Sequence, residues 1–460
     1  MNPADVAAAR GAASVDPSVE DSDGAKLMEG SWKLLARSCG GTLSAVGAAL
    51  AVLVILAAPV AGAEATWPQF HGPRRDNKSD ETGLLKSWPE GGPKLLWTAK
   101  GIGEGFSTVS LAGGLIYTTG NIDRSTVITA LDPAGKVKWT FNNGPAYRRS
   151  HPGTRGTPTF DHGRLYHENA DGDVACLEAK SGKRIWSLNI LKAFRGRNIS
   201  WALAESLLID GNRVICTPGG PQAGMAALDK HTGKTVWICR QLGDKPGYCS
   251  PIIFEHGGIR QIATVMARSV VGVSATDGKL LWQVEHVTPF DENITTPIFH
   301  DGRIFVSTRT TGSRLLKLSV EDGKVTAKDV WRSRALDNQH GCMILVNDHV
   351  YGSCHGARPG PWVCLEFKTG RRTYGGSGIG RACCTYADGM LYLMNHGRTV
   401  ALVRPSPDAF EMVSRFTLPR GGRGPSWAHP VICGGRLYLR HGDFLYCYDV
   451  KAAGEPAPAK

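Results

Sequence analysis

The chain has 460 residues, 42% hydrophobic and 20% charged, with 57 Gly, 12 Trp and a formal charge of +12. That composition excludes collagen-like, coiled-coil and largely disordered chains and suits one large globular domain. The basic surplus is scattered over turns, with Arg148-Arg149 and Arg420 with Arg423 as the local clusters, and no nucleic-acid module is visible, so nucleic acid is not expected as a partner.

Residues 1–31 are small and polar, without apolar periodicity, and read as a disordered or non-native leader. Residues 32–63 read as a signal peptide or signal anchor. Lys33 and Arg37 precede an uncharged run from Thr42 to Ala58, and Ala61-Gly62-Ala63 has the small-residue cleavage pattern. Met28 is a second candidate initiator. Left uncleaved, the apolar run approaches the ~20 residues that span a bilayer. Either way the remainder is expected to be exported to the periplasm or cell envelope. It would be soluble after cleavage near Ala63 or tethered by the anchor, with membrane contact through this segment alone.

Residues 64–93 form a lead-in, and Lys94-Leu-Leu-Trp97 follows as a lone strand. A phrase then returns along the chain. Its cleanest copy is Ala227-Leu-Asp229-Lys-His-Thr232-Gly233-Lys234-Thr-Val-Trp237, with looser copies ending at Trp139, Trp186, Trp282 and Trp331, and at Tyr374 and Phe416. These aromatic end-points recur every 42 to 51 residues. Each interval holds four short apolar runs broken by Gly, Asp and Asn, which are strand and hairpin signals. A four-stranded unit at this period is a propeller blade.

The units close at Trp139, Trp186, Trp237, Trp282, Trp331, Tyr374 and Phe416, which makes seven. Residues 427–449 supply three more strands. Joining them to the lone strand at Lys94–Trp97 completes an eighth blade and removes a free sheet edge. The expectation is therefore an all-β, eight-bladed propeller over 94–450, closed by an N-terminal outer strand and followed by a disordered tail at 451–460. It is expected to be monomeric.

Trp97, Trp139, Trp186, Trp237, Trp282 and Trp331 are read as scaffold, each wedged against the next blade with its N–H on a backbone carbonyl. Twelve Cys show no zinc-type CxxC spacing. Cys342 and Cys354 flank one hairpin as a candidate bridge. Cys383-Cys384 reads either as a vicinal disulfide or as two thiols on opposite strand faces. The cluster His340-Gly-Cys342 with Cys354-His355 matches no metal motif.

Propeller chemistry gathers at the mouth where loops enter the innermost strands. Aligning those strands gives one column of Phe106, Arg155, Ala204, Tyr248, Ile294, His340, Arg381 and Trp427. The next column is Ser107, Gly156, Glu205, Cys249, Thr295, Gly341, Ala382 and Ala428, with Asn293 and Gln339 just upstream. Arg155, Glu205, Tyr248, Asn293, His340, Arg381 and Trp427 are thus the candidate site. Stacking aromatics and carboxylate-pairing arginines suit a polar, anionic, planar ligand. The loops 147–151 and 194–201 are candidates for a lid over this mouth.

The repeat Ala-x-Asp-x-x-Thr-Gly-x-x-x-Trp resembles the tryptophan-docking repeat of the pyrroloquinoline-quinone (PQQ)-like propeller family. The opening Trp67-Pro-Gln-Phe70-His-Gly72-Pro73, with Ser87-Trp88-Pro, resembles its secreted bacterial members. The likeness covers about residues 66–450. It implies the propeller fold and one of two functions. One is a non-catalytic binding or assembly scaffold for a protein or glycan of the cell envelope. The other is a PQQ-dependent oxidoreductase of alcohols or sugars. In the second case PQQ with Ca2+ would sit at the mouth, Glu205 and Asn293 near the metal, Arg155 or Arg381 on the quinone carboxylates, and Trp427 or Tyr248 stacking. A vicinal disulfide packs against the cofactor in some members, which would concern Cys383-Cys384. This chain lacks the Asp pair that the dehydrogenases carry at the mouth and any haem-attachment CxxCH, and its Cys39 precedes the apolar run where the assembly lipoprotein carries a lipidated Cys after it.

Overall fold

The computed structural model describes residues 65–356 and 362–453. The segments read as leader and signal, and residues 454–460 of the tail, lie outside the described residues. Eight antiparallel sheets follow in chain order: blades 1 to 7 at 110–145, 159–189, 208–239, 252–285, 298–333, 344–376 and 382–417. Blade 8 takes three strands from 431–449 and its outer strand, Lys94–Lys100, from the other end of the chain, with Trp97 opposite Cys447. No described helix is long and apolar enough to cross a membrane.

The repeated phrase builds the outer hairpin of the blades that carry it. In blade 3, Asp229 Oδ1 accepts from the Thr232 N–H and hydroxyl, both at 2.8 Å, while Gly233 takes φ +73°. In seven sheets the outer pairing shifts register beside the aromatic position, and in blade 7 it shifts at Ser414, two residues before Phe416. Such a bulge re-aims a side chain, and here it turns the aromatic ring toward the next blade. Trp97, Trp139, Trp186, Trp237 and Trp331 each donate Nε1–H to a backbone carbonyl of the following blade at 2.9–3.3 Å. Their rings lie on Gly135, Gly182, Gly233, Gly278 and Gly370, where a Cβ would approach to 2.4–2.8 Å.

Trp282 departs from this pattern. Its Nε1 donates to the Gln261 side chain of its own blade at 2.9 Å. Blade 5 has ten-residue outer strands, which carry its turn glycine, Gly323, beyond reach of any neighbour within 4 Å. At the ring closure, Phe416 lies on Gly92 of the lead-in, where a Cβ would meet its ring at 2.5 Å. The lead-in thus supplies the glycine that the interrupted hairpin of blade 8 cannot.

The lead-in also spans the channel. Trp67 exchanges two backbone hydrogen bonds with Leu111 of blade 1. Arg75, 3% exposed, donates to the Ser206 and Leu207 carbonyls of blade 3 at 2.6 and 3.1 Å. Asn77 donates to Cys384 O, and Lys78–Ser79 runs parallel to the innermost strand of blade 7. Blades 3 and 7 face each other across an eight-fold ring, so residues 67–79 form a plug through its centre.

All eleven described cysteines are free and buried. The expected Cys342–Cys354 bridge does not form, since the Cys354 thiol turns to Ala335 O and that of Cys342 to Met343 O. Cys383 and Cys384 point to opposite faces of their strand. Cys383 donates to Trp427 O and Cys384 to Cys342 O, as strand alternation requires.

Candidate functional site

All eight residues of the first column line one cavity of about 310 Å3 on the ring axis. Of the second column, none lines it, because alternate residues of a strand point to opposite sides. The next inward-facing layer lies two residues further along, where Ser206, Ser250 and His429 form part of the floor. Phe70 of the plug completes that floor, and His151 and Trp201 reach in from the two long loops.

Five of the seven candidate site residues therefore share the cavity: Arg155, Tyr248, His340, Arg381 and Trp427. Glu205 and Asn293 are not in the lining. Glu205 is 2% exposed and accepts from Thr217 N at 2.8 Å. Burial raises its pKa, against the pull of its Thr217, Glu168 and Arg75 neighbours. Asn293 donates to the carbonyls of Met266 and Ala267 at 2.8 and 3.2 Å. Both residues are spent on holding the blade 3 and blade 4 loops.

Arg155 is the most elaborated group. Its guanidinium lies 4.1 Å from the Tyr147 ring centroid, donates to His151 O at 3.0 Å, and bonds the Tyr248 hydroxyl. None of these partners is a carboxylate. The 147–151 loop is thereby strapped across the rim, and the His151 ring meets Trp427 edge-on at 4.9 Å. Trp427 and His340 stack with centroids 3.9 Å apart and planes 4° from parallel.

Burial, then the neighbouring His396, holds the His340 pKa well below the usual imidazole range. His396 is held at about 4, by burial first and Arg381 second. These rings are neutral at pH 7 and act as aromatic, hydrogen-bonding walls. Glu292 is the only carboxylate among the described lining residues, and it accepts from Gln339 at 2.6 Å. Against it stand Arg155, Arg309 and Arg381, so the cavity carries a net positive charge. Trp201 Nε1, Trp427 Nε1 and His340 Nδ1 are buried without a protein partner. Buried polar groups are ordinarily paired, so these suit a polar ligand. A Ca2+ ion takes about six to eight oxygens, and a lining with one carboxylate does not fit a quinone held through that ion.

His151 and Trp201 come from the two loops expected over the mouth, whereas sequence reasoning missed His71, Glu292, His396 and His429. The signal for His429 was present, since it lies two residues beyond Trp427 in the same inward alternation. No signal in the repeat points to His71 or Phe70, because the plug is not part of a blade.

The family model described as outer membrane protein assembly factor BamB matches residues 123–373. Among curated relatives, the dehydrogenase subunit of an alcohol dehydrogenase (quinone) from Gluconacetobacter polyoxogenes is 30% identical over 135 residues, 27% of this chain. The match spans 18% of that relative's own length. Among solved structures, BamB from Moraxella catarrhalis superposes with a TM-score of 0.56 at 14% identity, covering 78% of this chain and 99% of that one. The quinohemoprotein alcohol dehydrogenase of Comamonas testosteroni gives 0.61 at 12% identity, covering 86% and 82%. Likeness at this identity shows the fold alone.

Proposed function

The chain belongs to the PQQ-repeat propeller family described as outer membrane protein assembly factor BamB, and from that premise we propose that it is an exported, non-catalytic binding propeller of the cell envelope. Its mouth cavity takes an anionic group presented by a protein or glycan partner. The observation that carries this reading is the lining itself, with three arginines against one carboxylate and unpartnered donors on Trp201 and Trp427. Cationic and aromatic walls with few competing acceptors favour a charged, planar guest. The test is affinity capture from cell-envelope extract with the wild-type chain and with Arg381→Ala. A partner retained by the first and lost by the second supports the reading. Equal retention by both would count against it.

A second reading, a PQQ-dependent oxidoreductase of alcohols or sugars, draws on the quinone-dependent relative. In it Arg155 and Arg381 pair with the quinone carboxylates and Trp427 stacks on the ring system. It differs from the first in predicting dye-linked alcohol oxidation by the chain loaded with the quinone.

A further inference from the structure

Beneath the mouth, the plug meets the second inward layer of the ring at three residues. His71 comes from the plug, Cys342 from the entry to the innermost strand of blade 6, and His429 from the entry to blade 8. All three are buried, at 5%, 4% and 8% exposure. One ligand atom from each lies within 4.8 Å of the other two. We infer that His71, Cys342 and His429 form a binding site for a thiophilic transition-metal ion of the zinc or copper kind, fastening the plug to the ring.

The orientation of the rings supports this. His71 Nε2 and His429 Nδ1 face each other at 2.8 Å. His429 Nε2 lies 3.1 Å from the His340 carbonyl, which accepts its N–H and so leaves the Nδ1 lone pair turned toward His71. A histidine ligand that donates its other N–H to a carbonyl is the usual outer-shell device for fixing the tautomer. Three ligands around one zinc-sized ion stand about 3.3–3.8 Å apart, given metal bonds of about 2.0–2.3 Å. Small opening movements of the two rings reach that spacing.

The ligand backbones are pinned. His71 sits at φ +63° in a turn closed by Asn77 N to His71 O at 2.9 Å, and Phe70 stacks on its ring at 3.8 Å. The three ligands also line a second cavity of about 330 Å3, which leaves an approach for the ion and room for a fourth ligand. The ligand set chooses the ion. One sulfur and two imidazole nitrogens favour zinc or copper, while hard ions such as Mg2+ and Ca2+ need oxygen cages. Among the described residues no other His, Cys, Asp and Glu group converges this way.

The test is an anaerobic titration of the full chain, in a phosphine reductant, with Co2+ as the spectroscopic probe. The expected result is one equivalent per chain, with a thiolate-to-cobalt charge-transfer band in the near ultraviolet that Zn2+ bleaches and millimolar Ca2+ or Mg2+ does not. Cys342→Ser is expected to abolish the band and weaken binding by at least about tenfold, and Cys447→Ala to leave it intact. His71→Gln, a change on the plug rather than in a blade, gives a second variant should Cys342→Ser misfold, and it too should weaken the site. Absence of stoichiometric binding, binding without the band, or a band indifferent to Cys342→Ser and His71→Gln would each overturn the assignment.

Discussion

Trp427 and His340 lie face to face across the mouth, with ring centroids 3.9 Å apart and planes 4° from parallel. They come from the entries to blades 8 and 6 and span the inner strand of blade 7 between them. The His340 carbonyl also receives the N–H of His429 at 3.1 Å. His340 thus lines the mouth cavity and also touches His429, whose other ring nitrogen meets His71 of the plug at 2.8 Å.

Replacing Trp427 tests the wall apart from the scaffold. Trp427 is half-buried and docks on no blade, so Trp427→Ala should change unfolding free energy by less than about 2 kcal/mol. It should weaken binding of a planar polycarboxylate by at least about tenfold, as expected when an aromatic contact worth about 1.5 kcal/mol is lost. Urea unfolding and calorimetric titration measure the two effects separately.

The docking tryptophans behave in the opposite way. Trp237→Ala should cost about 3–5 kcal/mol, since it empties a buried contact between blades 3 and 4. The glycine beneath it gives a finer test. Gly278 sits at φ +75°, and a Cβ there would lie 2.4 Å from the Trp237 ring. Gly278→Ala should then lose about 1–2 kcal/mol for the backbone and a further 1–3 for overpacking. Gly323→Ala has a similar φ of +73° but nothing within 4 Å, so only the backbone cost of about 1–2 kcal/mol applies.

Arg440 holds the closure of the ring. It is 2% exposed and donates to the carbonyls of Gly103 at 2.8 Å, Ser107 at 2.8 Å and Gly442 at 3.0 Å, and to Thr118 Oγ1 at 2.8 Å. These partners join blade 8 to blade 1. Arg440→Ala strands several buried acceptors, each worth about 1–3 kcal/mol. The loss in urea unfolding should exceed about 3 kcal/mol, and Arg440→Lys, which keeps the charge and loses the fork, should recover only part of it.

The pH dependence has a defined sign. Burial holds His167 at about 3. It also holds His286 at about 4, with Arg314 and Arg332 adding to it. In the unfolded chain both take a proton near pH 6.5. The unfolded state then binds more protons below that value, so each contributes stability at neutral pH that falls by about 1.4 kcal/mol per unit as pH drops below 6.5. Glu168 works the other way. Burial and the neighbouring Glu205 raise its pKa, so the folded state holds a proton that the unfolded state releases, and its contribution declines as pH rises from about 4.5. His167→Gln should flatten the acid-side loss between pH 6.5 and 5 in denaturant titrations, and Glu168→Gln should flatten the decline toward alkaline pH.

The propeller was legible because its repeat is enforced by local chemistry. The Asp, Thr and Gly of each turn and the Trp beyond it serve the same contact in blade after blade. Trp282 escapes that reading because its partner hairpin is longer, and hairpin length lies outside the phrase. The mouth was legible in its first layer, where aligned strand entries place Arg155, Tyr248, His340, Arg381 and Trp427 around one axis. Glu205 and Asn293 were misplaced by one residue of strand alternation, which turns a side chain from the channel into the blade. The floor was hidden for a different reason. Phe70, His71 and Arg75 belong to a segment without repeat periodicity, and its passage through the channel rests on contacts to blades far away in sequence.

The most direct measurement is calorimetric titration of the full chain with PQQ as a planar polycarboxylate, with and without Ca2+, on wild type and Arg381→Ala, followed by a dye-linked alcohol assay. Binding is expected at one site, unchanged by Ca2+ and weakened at least about tenfold by the substitution, with no alcohol-dependent dye reduction. Binding that requires Ca2+ and supports dye reduction would contradict the non-catalytic reading in favour of the oxidoreductase, and binding indifferent to Arg381→Ala would remove the mouth cavity as the site.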